Sequence, residues 1–324
     1  MNLPDLAANL ASPPILCFIL GLLAAGLRSD LEFPAPLRKV LSLFLLFALG
    51  FKGGLSLAQS RPEIATAGAL AAAIFASAAI PLWVFWANRR RLGPTDAAAL
   101  AATYGSVSAV TFVTATAYLT QRGVPYSGHM IAAMALMESP AIVVGLWLAR
   151  RHASSAVPAA VGWRHLGRDA FLNGSVFLLL GSLLIGLLAG PERGATLKPG
   201  VEILFPVALS LFLLDLGMVA GRHAGALRQL GAAPLAFAIV APAINAGLGL
   251  GLAALFGLGR GDGFLLVVLC ASASYIAVPA ALRISLPQAN PGIYLTLSLA
   301  FTFPFNVLFG LPLYHALVGA ALPS

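Results

Sequence analysis

Long apolar runs, separated by charged or Pro/Gly clusters, make up most of the chain. With about 20 apolar residues to a bilayer crossing, the runs fall at 12–27, 36–56, 63–87, 95–120, 128–149, 170–189, 199–220, 232–257, 262–284 and 290–318. The pattern predicts an all-α membrane protein of ten transmembrane helices. Asp5 precedes the first run and Arg28 follows it, the reverse of the charge order of a cleavable signal peptide. That run is therefore expected to be a retained first helix with its amino end outside.

Residues 151–169 form the longest polar stretch and divide the chain near its middle. Landmarks recur across this divide at a nearly constant offset: Gly50 with Gly217, Asp96 with Asp262, Ser106 with Ser272, Ser108 with Ser274, and Pro140 with Pro304. Five spans is an odd number, so a second copy enters the membrane upside down. The expected organisation is two inverted five-helix repeats, 1–150 and 170–324, joined by the 151–169 linker, with Ser106 near Ser272 across a twofold axis.

Composition agrees with a lipid solvent. Of the 324 residues 60% are hydrophobic and 9% charged, with a mean hydropathy of +0.93, whereas soluble domains approach a quarter charged. The net charge of +8 is dispersed between apolar runs, and no groove-sized basic patch exists, which excludes nucleic acid as a partner. Over ten spans, 13 of the 19 Lys and Arg fall on the side of the linker. The positive-inside rule places the linker in the cytoplasm and both termini outside. Cys17 and Cys270 lie far apart in apolar stretches, and the five His show no metal-ligand spacing. No Walker loop, dinucleotide fingerprint, nucleophile elbow or HExxH motif is present, and no cofactor is expected.

The strongest functional signal is the polar interruption of the fourth and ninth runs, TYGSVSAVTFVTAT (103–116) and CASASYIAVP (270–279). Small residues, hydroxyls, Gly105 and Pro279 allow a helix to break, freeing backbone groups to face a ligand near the midplane. Two half-helix N-termini meeting there favour a small anion, and hydroxyls with freed carbonyls can coordinate Na+. The alternative is that these hydroxyls only back-bond and pack helices.

Glu138 and Asp215 are ionisable residues inside apolar runs, where burial is costly and a function is common. Glu138 can hold a cation or accept a proton, and Asp215 can instead pair with an Arg. Lys52 is expected to snorkel to the interface. Asn245, with Gly247 and Gly251, is expected on a helix-packing face.

LGFKGGLSL (49–57), YGSVSAVT (104–111), ESPA (138–141), LGMVAG (216–221), SASYIAVPAALR (272–283) and LPQANPGIYL (286–295) resemble the sodium-dependent bicarbonate transporter family of cyanobacteria and other bacteria. The resemblance implies a ten-helix inverted-repeat fold with core and gate domains, commonly trimeric, and sodium-coupled bicarbonate uptake. It implies substrate binding by Gly105, Ser106, Ser108, Thr111, Ser272, Ser274 and Tyr275, and a coupling Na+ at Ser108, Thr111, Glu138 and Ser274. It also implies a PII-type regulator at the central loop, here only about twenty residues long. Tyr275 stands where the family has Asp, Ala277-Val278 where it has Ser-Gly, Glu138 where it has Asp, and Ala109 where it usually has Gly.

The function expected is secondary transport of a small anion, most simply bicarbonate with sodium. Proton-coupled or uncoupled transport of another small anion or carboxylate is the alternative, and loss of the Asp at Tyr275 keeps a channel-like protein open. A membrane enzyme using Glu138 and Asp215 as acid and base lacks paired-carboxylate spacing.

Overall fold

The computed structural model describes residues 3–59, 64–153 and 174–323. Most of the linker at 151–169, where a regulator was expected, lies outside the described residues. Those described are helical, with no strand among them. In chain order the helices are α1 Leu3–Leu10, α2 Pro13–Gly26, α3 Ala35–Gln59, α4 Ile64–Gly105, α5 Ala109–Gln121, α6 His129–Glu138 and α7 Pro140–His152. They continue as α8 Gly174–Gly194, α9 Lys198–Leu230, α10 Ala232–Leu255, α11 Arg260–Ala271, α12 Ala277–Ser285 and α13 Pro291–Ala321.

Among the described residues seven stretches are long and apolar enough to cross a bilayer, and the pair α1–α2, bent by 68°, adds an eighth. One of the seven, Ile64–Gln121, has 58 residues, nearly three times the ~20 of a crossing. It turns at Gly93, whose φ of 79° and ψ of 161° are left-handed and followed by Pro94. The chain there can neither donate the next helical hydrogen bond nor hold helical dihedrals. α11 and α12, of 12 and 9 residues, are each too short to span alone.

Two helix pairs are held by close backbone approach. α2 packs on α9 and α3 on α8. A Cβ added to Gly217 would strike the Phe18 carbonyl, and one on Gly54 would lie 2.8 Å from Gly186 Cα. Lipid supplies no hydrophobic drive between helices, so such contacts depend on side chains small enough for van der Waals packing. Gly50 with Gly54 on α3, and Gly217 with Gly221 on α9, form the two small-xxx-small ridges.

One expectation is corrected. Gly247 and Gly251 are exposed, and a Cβ added at either would meet nothing within 4 Å; Gly249 instead packs on Val267 and Cys270 of α11. A small-xxx-small spacing fixes one face of a helix but not which face meets a neighbour. Asn245 is fully buried and accepts from Trp83 Nε1 at 3.0 Å.

Gly217→Leu is expected to destabilise the fold by about 3 kcal/mol or more, because two backbones must separate. Gly247→Leu should change stability by less than about 0.5 kcal/mol. Reversible unfolding in mixed micelles measures both.

Candidate functional site: the crossing of two broken helices

α4 ends at Gly105 and α5 begins at Ala109; α11 ends at Ala271 and α12 begins at Ala277. The two short extended segments between them cross. Ser274 N–H donates to the Thr103 carbonyl at 2.9 Å, and Ser108 N–H donates to Ser272 Oγ at 3.0 Å. Ser272 Oγ passes the connection on, donating to the Leu269 carbonyl at 2.9 Å. One break thus bonds directly to the last turn of the opposite helix, and the other does so through a hydroxyl.

A serine in each break accepts from the first turn of the next helix, Ser108 as the N-cap of α5 and Ser274 from two residues before the N-cap of α12. Ser108 Oγ accepts from Thr111 N–H at 3.1 Å, and Ser274 Oγ accepts from Val278 N–H at 3.2 Å. N-cap hydroxyls satisfy one of the donors that a helix start leaves free. The carbonyl ends have partners too. Asn306 Nδ2 on α13 donates to Ala271 O at 2.9 Å, within a π-helical stretch at Asn306–Gly310. The widened turns at Thr296–Thr302 and Asn306–Gly310 are the kind of bulge that clusters at functional sites.

A third break, between α6 and α7, abuts the first. Ser106 Oγ donates to the Glu138 carbonyl at 3.1 Å. Ser77 of α4 bridges the gap, donating to Met137 O at 2.6 Å and accepting from Ala141 N–H at 3.2 Å. Gly105 has no room for a side chain, since a Cβ would run into Pro81 and lie 3.1 Å from Ala141 Cβ.

A cavity lies against the crossing, with about 50 Å³ open to the centres of water-sized spheres. That is several times what one water needs, so a hydrated ion or small oxyanion fits. Ser108, Ser274, Tyr275 and Glu138 line it, as do Ala109 and Ala277 from the first turns of α5 and α12. Gly105, Ser106, Thr111 and Ser272 do not; they lie behind it, holding the breaks in place. Thr111 Oγ1 is buried without a hydrogen-bond partner. The Tyr275 hydroxyl lies beside Ser108 yet completes no hydrogen bond, and its ring packs 5.2 Å from that of Phe303. Ser42 of α3, Phe212 of α9 and Met134 of α6 complete the wall. Nothing in LSLFLL around Ser42 distinguishes it in sequence from an ordinary buried serine.

Asp215 is not at the cavity. It is 1% exposed and held by both Arg38 Nε and Arg38 Nη2, a bidentate pair between α9 and α3. Such a pair satisfies a buried carboxylate. Among the described residues no cluster of three His, Cys, Asp or Glu could hold a metal.

A family model described as the Na+-dependent bicarbonate transporter superfamily matches residues 13–319, nearly the whole chain. The chain belongs to that superfamily. No curated protein matches it. Membership makes the chain a multi-pass permease, and the apolar helices of 21 residues and more agree.

Ser272→Ala leaves the buried Ser108 N–H without an acceptor. A loss of about 1–3 kcal/mol of stability is expected, read as a fall in thermal unfolding temperature. Ser272→Thr, which keeps the hydroxyl, should recover part of it.

Proposed function

We propose that this superfamily member is a ten-span secondary transporter, built as two inverted five-helix repeats, that takes up bicarbonate together with Na+ by alternating access. The spans are α1–α2, α3, α4 to Gly93, the rest of α4 with α5, α6–α7, α8, α9, α10, α11–α12 and α13. Supporting the repeat is the exchange of equivalent contacts. Asp96 accepts from Asn290 N–H at 2.8 Å, ahead of α13, and Asp262 accepts from Ser127 N–H at 2.6 Å, ahead of α6. Each acid pins the start of a helix in the other half. α2 on α9 and α3 on α8 are likewise the same pairing seen from either repeat.

The single observation that carries the transport reading is that the N-terminal turns of α5 and α12 flank one cavity. Two positive helix ends beside a common space favour a small anion. Beside it, Na+ would be held by oxygens of Ser108, Thr111, Ser274 and Glu138. The unpartnered Thr111 hydroxyl favours this, being a buried acceptor in search of a donor or a cation.

One observation favours a second reading. Tyr275 occupies the cavity wall where the family has Asp, which leaves Glu138 as the carboxylate of that wall. A carboxylate near midplane can bind a cation or be neutralised by a proton, so proton-coupled transport of a small anion is the rival. On family grounds the protein is taken as a trimer in a bacterial inner membrane, and the positive-inside count puts both termini outside. Cytoplasmic reporters fused at either terminus should stay silent, and activity from one would invalidate the topology.

Uptake of radiolabelled bicarbonate into proteoliposomes, under separate Na+ and pH gradients, tests the coupling. Wild-type protein should accumulate bicarbonate under the Na+ gradient. Glu138→Gln should lose gradient-driven accumulation tenfold or more, on the order of the cost of removing a cation ligand, while inserting normally. Tyr275→Asp should steepen the Na+ dependence. Full accumulation by Glu138→Gln under both gradients would reduce that carboxylate to a packing role.

A further inference from the structure

Two more cavities, of about 240 and 360 Å³, lie beyond the crossing, and Lys52 lines both. The smaller follows the same three helices as the crossing cavity, and the larger adjoins it at Lys52, Thr120 and Tyr126. On α3 the wall moves from Leu45 and Leu46 to Leu49 and Lys52, on α5 from Val113 to Thr116, and on α9 from Phe212 to Leu209. Each step is three or four residues, one helical turn or about 5 Å. The crossing cavity and the smaller of the two are therefore stacked end to end in one trough between α3, α5 and α9. Leu49, Val113, Leu209 and Phe212, each 2% exposed or less, close the trough between them.

Lys52, near the end of α3, lines both of these cavities. Half-buried, it points into the trough, with Nζ 5.3 Å from the Phe205 ring centroid. Around it are Thr116, Thr120, Tyr126 and Gln121. The two threonine hydroxyls donate to the Val113 and Thr116 carbonyls at 2.8 Å each, and the Tyr126 phenol, kept neutral by burial, pairs with Thr116. The Gln121 amide and the Lys52 ammonium are therefore the donors left to the cavity. Glu202 also lines the cavity, and its carboxylate is 3.9 Å from Lys198 Nζ. Glu202 also acts on Lys52, so the two lysines against one carboxylate leave a single net positive charge at this cavity. Such a set suits a monovalent oxyanion and disfavours a dianion, which would meet the Glu202 charge.

We propose that the Lys52 cavity is a loading site, where the ammonium holds a small monovalent oxyanion on the far side of the apolar layer from the crossing cavity. The proposal rests on the reading of the chain as an anion transporter. A loading site raises the local substrate concentration and drops out once the layer opens, so it acts on capture and not on turnover.

Bicarbonate uptake by proteoliposomes under an inward Na+ gradient provides the first test. Lys52→Gln is expected to raise KM roughly three- to tenfold with turnover kept within about twofold, and Lys52→Arg to stay near wild type. Wild-type KM should rise with ionic strength, and that of Lys52→Gln should not. An unchanged KM in Lys52→Gln, or a fall in turnover alone, overturns the proposal.

The second test needs neither turnover nor a variant. Acylation of Lys52 in the purified full-length protein, read by peptide mass spectrometry, should slow when bicarbonate replaces chloride at constant ionic strength. An unchanged acylation rate overturns the loading site. Protection of Lys52 in a protein that shows no uptake supports the anion site and defeats the bicarbonate-transport reading instead.

Discussion

A break in a membrane helix exposes backbone donors and acceptors that lipid cannot satisfy, at a cost of several kcal/mol for each group left bare. This structure meets the constraint by setting two breaks against each other. Ser274 N–H finds the Thr103 carbonyl, Ser108 N–H finds Ser272 Oγ, and Asn306 reaches across from α13 to the Ala271 carbonyl. Neither break is tenable without the other. The remaining helices are arranged to hold this crossing, and the open space beside it is a consequence: extended chain fills less volume than the helix it interrupts.

The glycine contacts are a second solution to the same problem of cohesion in lipid. α2 with α9, and α3 with α8, approach so closely that a single Cβ would collide with the opposing backbone. On the proposed alternating-access reading, units bonded this way would move as rigid bodies, because close-packed interiors deform little. The trough that holds both the crossing cavity and the Lys52 cavity runs along α3 and α9 of this group on one side and α5 on the other. It is the seam between the glycine-paired helices and the helices of the crossing. On the proposed alternating-access reading, sliding along that seam opens and closes the layer of Leu49, Val113, Leu209 and Phe212. The ligand-facing helix ends keep their mutual hydrogen bonds throughout.

Much of this was legible in the chain itself. Hydroxyls and small residues at 105–108 and 271–274 interrupt otherwise apolar runs, and no lipid-facing helix has reason to carry them twice. Apolar run lengths located most of the helices to within about five residues, but they missed α1 at Leu3–Leu10, and α9 continues to Leu230, ten residues past the run that ends at 220. Long-range pairing was not legible. Arg38 and Asp215 are 177 residues apart, and nothing local marks them as partners. Asp96 and Asp262 stood out as recurring landmarks, but their role as acceptors for loop N–H groups required the fold. The widened turns of α13 also escaped, since a π-bulge depends on where Asn306 and Ser298 find partners and leaves no periodic trace. Gly247 and Gly251 misled because glycine spacing is the same whether a helix face meets a neighbour or lipid.

The replacement at Tyr275 bears on how ion and substrate would depend on each other. A phenol at this position carries no charge, so on the proposed reading a cation beside the crossing faces Glu138 and the positive ends of α5 and α12. Those helix ends repel Na+ as they attract the anion. The charge that the missing Asp would have supplied is then available from the substrate itself, bound between the same two helix ends. Na+ would bind best when the anion is present, and by linkage the anion would bind best when Na+ is present, to the same factor. Coupling of this kind needs no further acidic residue. It needs only that the two sites be close enough for the anion to lower the local potential, which one shared cavity between Ser108 and Ser274 provides.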